Sequence, residues 1–441
     1  VLAFSEGAYR ILCLEPGNTE NILYGVAVDV GTTTLVARLI DLHTGRTLET
    51  VSSANPQIRY GDDVIGRIHH GQNETGLAEL HQCIIRQLNE MIVTLCRNKQ
   101  LSPEQVYEIT AVGNTTMHHL LLKYPVVQLG QAPYRAYAAA AEDRNARQTG
   151  LLIHPHGRLY TVENIAGFIG SDTVAAALAA EMNTAEEVSL LVDIGTNGEL
   201  VLGTQDHLVS ASCAAGPALE GARIRCGSRA VEGAIQRVYA EEGEIDLDVI
   251  GSVRPRSICG SGLIDAVAVM LDLDILLPSG AFRDKESLSR RSSRSLMDRM
   301  IQIENQPAFI LAWDEIGKEP AVYLTQRDIR EMQLAKAAIQ TGILLLLKKL
   351  HLEKEHIHHL FLAGAFGNYI RKQSAIRIGL LPAIPQERIQ FIGNAASIGA
   401  QMILISRHCR QIATDLAGRI EYMEIAGEPD FSAVYSDSLL F

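Results

Sequence analysis

Apolar residues along this chain fall into short runs that recur twice in the same order. Residues 25–39 (GVAVDVGTTTLVARL) and 189–203 (SLLVDIGTNGELVLG) each carry a Val-, Ile- and Leu-rich run that ends in Asp-x-Gly-Thr and resumes as a second apolar run. This pattern predicts a hairpin with its turn at Gly31 or Gly195. A second pair, EITAVGNTTMHHLLL at 108–122 and HHLFLAGAFGNYI at 358–370, reads as a strand, a glycine turn and a helix start. A third pair, NIAGFIGSDTVAAALAA at 164–180 and FIGNAASIGAQMILI at 391–405, reads as an apolar lead, a glycine turn and an Ala-rich helix. Repetition of all three in order implies a duplicated architecture.

Spacing then locates insertions. Asp29 and Gly113 are 84 positions apart, whereas Asp193 and Gly364 are 171 apart, so the second half carries the larger insert. The expected division is 1–24 as a linker or the remnant of an upstream domain, 25–187 as a first lobe with its connecting helix, and 188–441 as a second lobe with a large insert at about 214–325. A smaller insert is expected within 125–160. The segment TQRDIREMQLAKAAIQTGILLLLKKL predicts a long amphipathic helix opened by Thr325 and Asp328, with Ile329, Leu334, Ala338 and Ile339 on its apolar side.

Bulk properties narrow the class. The 441 residues carry 51 Asp plus Glu against 39 Lys plus Arg, a net charge of −12, which argues against a nucleic-acid partner. The one basic stretch, RDKESLSRRSSRSLMDR at 283–299, reads as a solvated loop. No apolar run is long enough to span a membrane, and the first residues do not resemble a signal peptide. Seven scattered cysteines suggest buried free thiols in a reducing cytoplasm, and no local Cys spacing builds a zinc or iron-sulfur site. The paired histidines lack the carboxylate and Cys partners of a specific zinc site.

The chemistry lies in the turns. Glycine lets the backbone approach an anion, and neighbouring amides and hydroxyls donate to phosphate oxygens. Gly31, Thr32, Thr33 and Thr34 form one phosphate wall and Gly195, Thr196 and Asn197 the other, with Asp29 and Asp193 holding a magnesium ion through water. Asp172, in the first turn of the helix opened by Gly170, is the candidate catalytic base, or else a capping residue. Gly364 and Gly367 offer a flat surface to an adenosine, and Asn368 and Asn394 either read its edges or cap helices. Loops dense in glycine and polar groups at 55–67, 214–228 and 259–267 add Asp62, Glu220, Gly260, Gly262 and Asp265 as a second tier.

These paired hairpins with a late glycine-rich segment resemble the superfamily of acetate and sugar kinases, Hsp70 and actin. The resemblance implies an α/β fold, a duplicated RNase H-like two-lobed ATPase with an interlobe nucleotide cleft. GSDTVAAAL is similar to the hexokinase segment whose Asp is the catalytic base. In order, GVAVDVGTTT, NPQIRYGDDVIGRI, AVGNTTMHHLLL, DIGTNGEL, AAGPALEGARI, CGSGLIDA, LAGAFGNYI and GNAASIGA also resemble the reductive activators of corrinoid-dependent enzymes. That narrower likeness implies ATP- and Mg2+-dependent reduction of a cob(II)alamin cofactor, held on a corrinoid protein of a methyltransferase system, to cob(I)alamin. The electron is then expected through an iron-sulfur domain carrying a 2Fe-2S cluster upstream of this chain. A homodimer is compatible with this reading. A small-molecule kinase and a nucleotide-switched assembly protein are the alternatives the same cleft leaves open.

Overall fold

The strand Tyr24–Val30 turns at Gly31 and returns antiparallel as Thr34–Asp41, with Asp29 opposite Val36. It is flanked on its other side by the parallel strand Val106–Gly113. Val26, Ala27, Val28 and Val30 are all buried, which is why this strand reads as a continuous apolar run and does not alternate. The computed structural model describes residues 1–441 except 6–7, 242–243, 289–293, 315–318 and 365–369. Its contacts separate two compact units, Val1–Ala185 with Asn394–Tyr422, and Glu186–Gly393 with Met423–Phe441.

In the first unit the sheet runs Thr47–Ala54, Thr34–Asp41, Tyr24–Val30, Val106–Gly113, Arg158–Thr161 and Glu142–Asn145. The helix Glu74–Asn98 buries Leu80, Ile84, Leu88, Met91, Ile92 and Leu95, a stripe at helical spacing, in the core shared with this sheet. Ser171–Ala179 and Ala395–Ile405 pack on each other, and the second of these also packs on the strands Tyr24–Val30 and Val106–Gly113. Gly399 allows this pairing, since a Cβ there would lie 2.0 Å from the Ala175 carbonyl oxygen.

The second unit repeats the plan. Ser189–Ile194 pairs antiparallel with Gly198–Thr204, which pairs antiparallel with His207–Cys213, while His359–Ala363 and Ile389–Gly393 add in parallel on the other side. The pairing pattern of these five strands is the same as that of the first five in the first unit, so the duplication expected from the repeats is present, with the RNase H-like topology that the resemblance implied. The long helix Gln326–Lys349 starts with the expected capping box, in which Thr325 and Asp328 satisfy each other's backbone N–H groups. Ile329, Ala338 and Ile339 are buried as expected, but Leu334 is 38% exposed and lies off the packed face. The insert between Cys213 and this helix builds two three-stranded sheets and the buried helix Gly260–Asp272.

Two placements differ from the division expected from spacing. Residues 394–422, expected with the second lobe, pack in the first unit, because the apolar face of Ala395–Ile405 is covered by Ser171–Ala179 and the first sheet. Residues 1–24, expected as a linker or the remnant of an upstream domain, are not a plain linker: they include the small hairpin Leu2–Ser5 with Ala8–Ile11 and are tied down through Glu15, which accepts from the Tyr107 hydroxyl and lies 3.2 Å from His154. Cys13, Glu15 and His154 come together there. The Nδ1 of His154 accepts from the His156 N–H at 3.1 Å, so its Nε2 carries the proton and faces Glu15 as a hydrogen-bond donor, leaving no lone pair for a metal.

Among the described residues no helix is long and apolar enough to cross a membrane, and all seven cysteines are free. Replacing Gly399 with alanine should drive the Ala395–Ile405 helix off Ala175 and destabilise the chain by about 1–3 kcal/mol. Thermal unfolding checks this, and an unchanged Tm would show that the helix pair has room to spare.

Candidate functional site

In the first unit the Asp-x-Gly-Thr turn is held from behind. The Asn55 side-chain amide donates to the Gly31 carbonyl at 2.9 Å, Arg67 Nη2 donates to the Thr32 carbonyl at 2.6 Å, and the Asn55 backbone N–H donates to the Thr33 carbonyl at 2.9 Å. A trans peptide points its N–H opposite its C=O, so the N–H groups of Thr32, Thr33 and Thr34 are directed away from Asn55 and Arg67. Successive amides turned the same way form an anion-binding concavity. Gly31 is required by the tightness of the turn, since a Cβ there would lie 2.4 Å from the Thr34 carbonyl oxygen. Asn114 caps the helix Thr115–Leu122 and also donates to Thr32 Oγ1 at 2.8 Å, orienting that hydroxyl.

Asp29 stands one residue before the turn strand ends, and Asp172 stands in the first turn of Ser171–Ala179. Gly170 brings this helix against the end of the neighbouring strand, because a Cβ there would lie 2.4 Å from the Gly113 carbonyl oxygen. Ser171 Oγ both donates to that carbonyl at 3.0 Å and accepts from the Gly113 N–H at 3.1 Å. Asp172 does not cap through Gly170; its carboxylate accepts from the adjacent Thr173 N–H at 2.8 Å. Burial pushes the Asp29 carboxyl up to about 6, against the opposing pull of a hydrogen bond from Asn394 and the charge of Arg38. Burial, with the charge of Asp29 added, pushes Asp172 up to about 7. The two carboxyls therefore act on each other. Two repelling, desolvated carboxylates beside threonine hydroxyls form a hard oxygen donor set that fits a magnesium ion.

Asn394 caps the helix Ala395–Ile405 through its side-chain oxygen and donates from its amide nitrogen to Asp29 at 3.0 Å. It thus caps its helix, one of the two roles the sequence offered, and its amide lies on Asp29. In the second unit Asp193 lies at the corresponding strand end, and the Gly195 N–H donates to the Asn197 carbonyl at 3.0 Å to close the turn. Thr196 Oγ1 donates to Glu220 at 2.7 Å, which brings that second-tier residue to the turn. Gly364 lies directly against Asp193, since a Cβ there would stand 2.3 Å from the Ile194 carbonyl oxygen and 3.1 Å from Asp193 Oδ1. Gly367 and Asn368 lie outside the described residues.

Four second-tier residues are placed elsewhere. Asp265 is buried and paired with Arg371 at 3.1 Å, so its charge is used inside the second unit. Gly260 opens the helix Gly260–Asp272, and Gly262 lets that helix pack, a Cβ there falling 2.3 Å from the Ile235 carbonyl oxygen. Asp62 sits on an exposed loop beside Asp63, which caps the helix Val64–His70. Asn55, Gln57, Arg67 and Asn114 were not among the expected site residues. The polar density of NPQIRYGDDVIGR was the only trace of the first three.

Residues 24–185 match the RACo middle region, and residues 187–441 match the C-terminal domain of RACo, the ASKHA domain. The chain belongs to the RACo family. This RACo-family chain is 35% identical over 435 residues to the corrinoid activation enzyme RamQ of Eubacterium limosum, spanning 98% of this chain and 73% of that protein. It is 23% identical over 418 residues to a Co(II) methylated amine-specific corrinoid protein reductase of Methanosarcina barkeri, spanning 87% and 70%. A solved structure of a reductive activator for corrinoid, iron-sulfur protein matches with a TM-score of 0.88 at 32% identity, covering 100% of this chain and 69% of that one. The family expected from the eight ordered motifs is therefore the family found.

The acidic pair has a thermodynamic signature. Because Asp29 and Asp172 bind protons more tightly folded than unfolded, stability falls as pH rises from about 4 to about 7. Asp29→Asn removes one of these charges. The variant should unfold at a higher temperature than the parent at pH 8, by on the order of 3 kcal/mol, with little difference at pH 4. Equal Tm differences at both pH values would show that Asp29 carries no such burden.

Proposed function

We propose that this chain binds and hydrolyses Mg2+-ATP and that the nucleotide cycle drives reduction of a corrinoid held on a partner protein of a methyltransferase system, from cob(II) to cob(I). The observation that carries this reading is a turn with three amides directed away from their supports, together with two buried carboxyls raised toward neutrality, in a chain whose RACo-family match runs from 24 to 441. Relatives named as a corrinoid activation enzyme, a corrinoid protein reductase and a reductive activator support the substrate class.

Within this reading, the amides and hydroxyls of Gly31 to Thr34 and of Gly195 to Asn197 bind phosphate oxygens. Asp29 and Asp193 hold magnesium through water. Asp172 orients the attacking water and takes its proton, a role suited to a carboxyl raised toward neutrality. Gly364, with Gly367 and Asn368, contributes to the adenosine surface.

Reduction of the corrinoid takes one electron, which an iron-sulfur donor, a 2Fe-2S cluster, would supply. ATP cleavage to ADP and phosphate supplies free energy and no electron. Its contribution is to favour a state of this chain that binds the corrinoid protein differently from the ADP state, since a ligand shifts an equilibrium only by its differential affinity. Free thiols and the absence of a spanning helix among the described residues are compatible with work in the cytoplasm.

The test is ATP hydrolysis with and without a cob(II)-loaded corrinoid protein, with a strong artificial reductant present and cobalt reduction followed optically. Partner-stimulated hydrolysis with formation of cob(I) is expected, and hydrolysis indifferent to the partner with no cob(I) would sink the proposal. Asp172→Asn should bind ATP but hydrolyse it about 100- to 10,000-fold more slowly. Asp193→Ala should abolish turnover without unfolding the chain, and normal turnover by a folded variant would refute the assigned role.

A further inference from the structure

Arg67 has no part in the chemistry above, yet among the described residues it is the largest side chain that is completely buried. Its guanidinium donates to neutral acceptors: the Thr32 carbonyl at 2.6 Å, the Gly61 carbonyl at 3.0 Å, Gln57 Oε1 at 3.3 Å and Met117 Sδ at 3.3 Å. Among the described residues it forms no ion pair; the groups its charge does feel are Asp63 and Asp62, exposed on the preceding loop, and the buried thiol of Cys83. An interior cation without a counter-ion is costly, and a folded protein keeps one where something else balances it.

The geometry supplies the balancing position. The Thr32 carbonyl that receives Arg67 belongs to the same peptide plane as the Thr33 N–H, which faces the other way. Guanidinium, carbonyl and amide thus lie in series, each polarising the next, and the series ends where an anion would accept from the turn. Gln57 keeps the arrangement neutral apart from the arginine: its amide nitrogen donates to the Leu80 carbonyl at 2.9 Å, and its oxygen is left to Arg67 and Asn55.

We propose that Arg67 is a positioning residue for the nucleotide phosphates, its buried charge matched by the phosphate anion on the far side of the Thr32–Thr33 peptide. The proposal rests on the nucleotide reading above and adds a source of affinity that grows with phosphate charge. A purely structural arginine would affect the fold and all nucleotides alike.

The experiment titrates the parent chain, Arg67→Gln, Arg67→Lys and Gln57→Glu calorimetrically with ATP, ADP and AMP at fixed magnesium, with circular dichroism to confirm folding. Arg67→Gln should weaken ATP by about tenfold or more, ADP by less, and AMP by no more than about twofold. Arg67→Lys, which keeps the charge, should hold the ATP-to-AMP affinity ratio within about threefold of the parent. Gln57→Glu sets a carboxylate against the guanidinium without removing it and should show the graded loss of Arg67→Gln. Equal losses for all three nucleotides, or parental ATP affinity in folded Arg67→Gln or Gln57→Glu, would overturn the proposal. If Arg67→Gln does not fold, Gln57→Glu and Arg67→Lys decide on the same criteria. A parent chain that binds no ATP would instead remove the nucleotide reading itself.

Discussion

Three consecutive carbonyls, those of Gly31, Thr32 and Thr33, are held from within the first unit, and much of the site's character depends on that constraint. In an extended strand successive carbonyls face opposite ways. Here one cluster of donors takes all three, so the chain must turn, the amides must face outward, and position 31 must be glycine. The apolar strand before the turn makes the constraint rigid, because Tyr24–Val30 is central in its sheet, with Val26, Val28 and Val30 buried on one face and Ala27 on the other.

The electrostatics of the first unit follow from the same layout. A cation lies behind the turn and two carboxyls lie near it, one at the end of the central strand and one at the start of a helix that Gly170 lets approach closely. Burial raises both carboxyls, and their proximity raises Asp172 further. An arrangement of this kind holds unfavourable charge that a cation at the carboxylates and an anion at the amides would relieve. The destabilised acids are therefore a property of the site and not of the core, where Asp265 is matched by Arg371.

Duplication gave the two units the same strand order but different supports for the turn. The second turn leans on the Gly364 segment and on Glu220, delivered by the insert, where the first leans on Asn55 and Arg67. Divergence of this kind is expected when a repeated scaffold retains its backbone and its loops acquire separate tasks.

Read alone, the amino-acid order determined the repeated hairpins, the glycine turns, the capping box of the long helix and the family, because each of these is written in local spacing: period-two or period-3.6 apolar runs, a turn residue, a cap three positions before its partner. It also marked Asp29, Asp172 and the Gly31–Thr34 turn as chemistry. Only the tertiary structure decided what stands behind that turn and which unit each late segment joins. Asn55 reaches Gly31 across 24 positions, Arg67 reaches Thr32 across 35, Asn114 reaches Thr32 across 82, and Asn394 reaches Asp29 across 365. Such pairs leave no periodicity, and Leu334 shows the same limit from the other side: its helical spacing is apolar, yet among the described residues it stays 38% exposed. Local pattern encodes which element forms, whereas the donors that aim a backbone toward a ligand are chosen by packing in three dimensions.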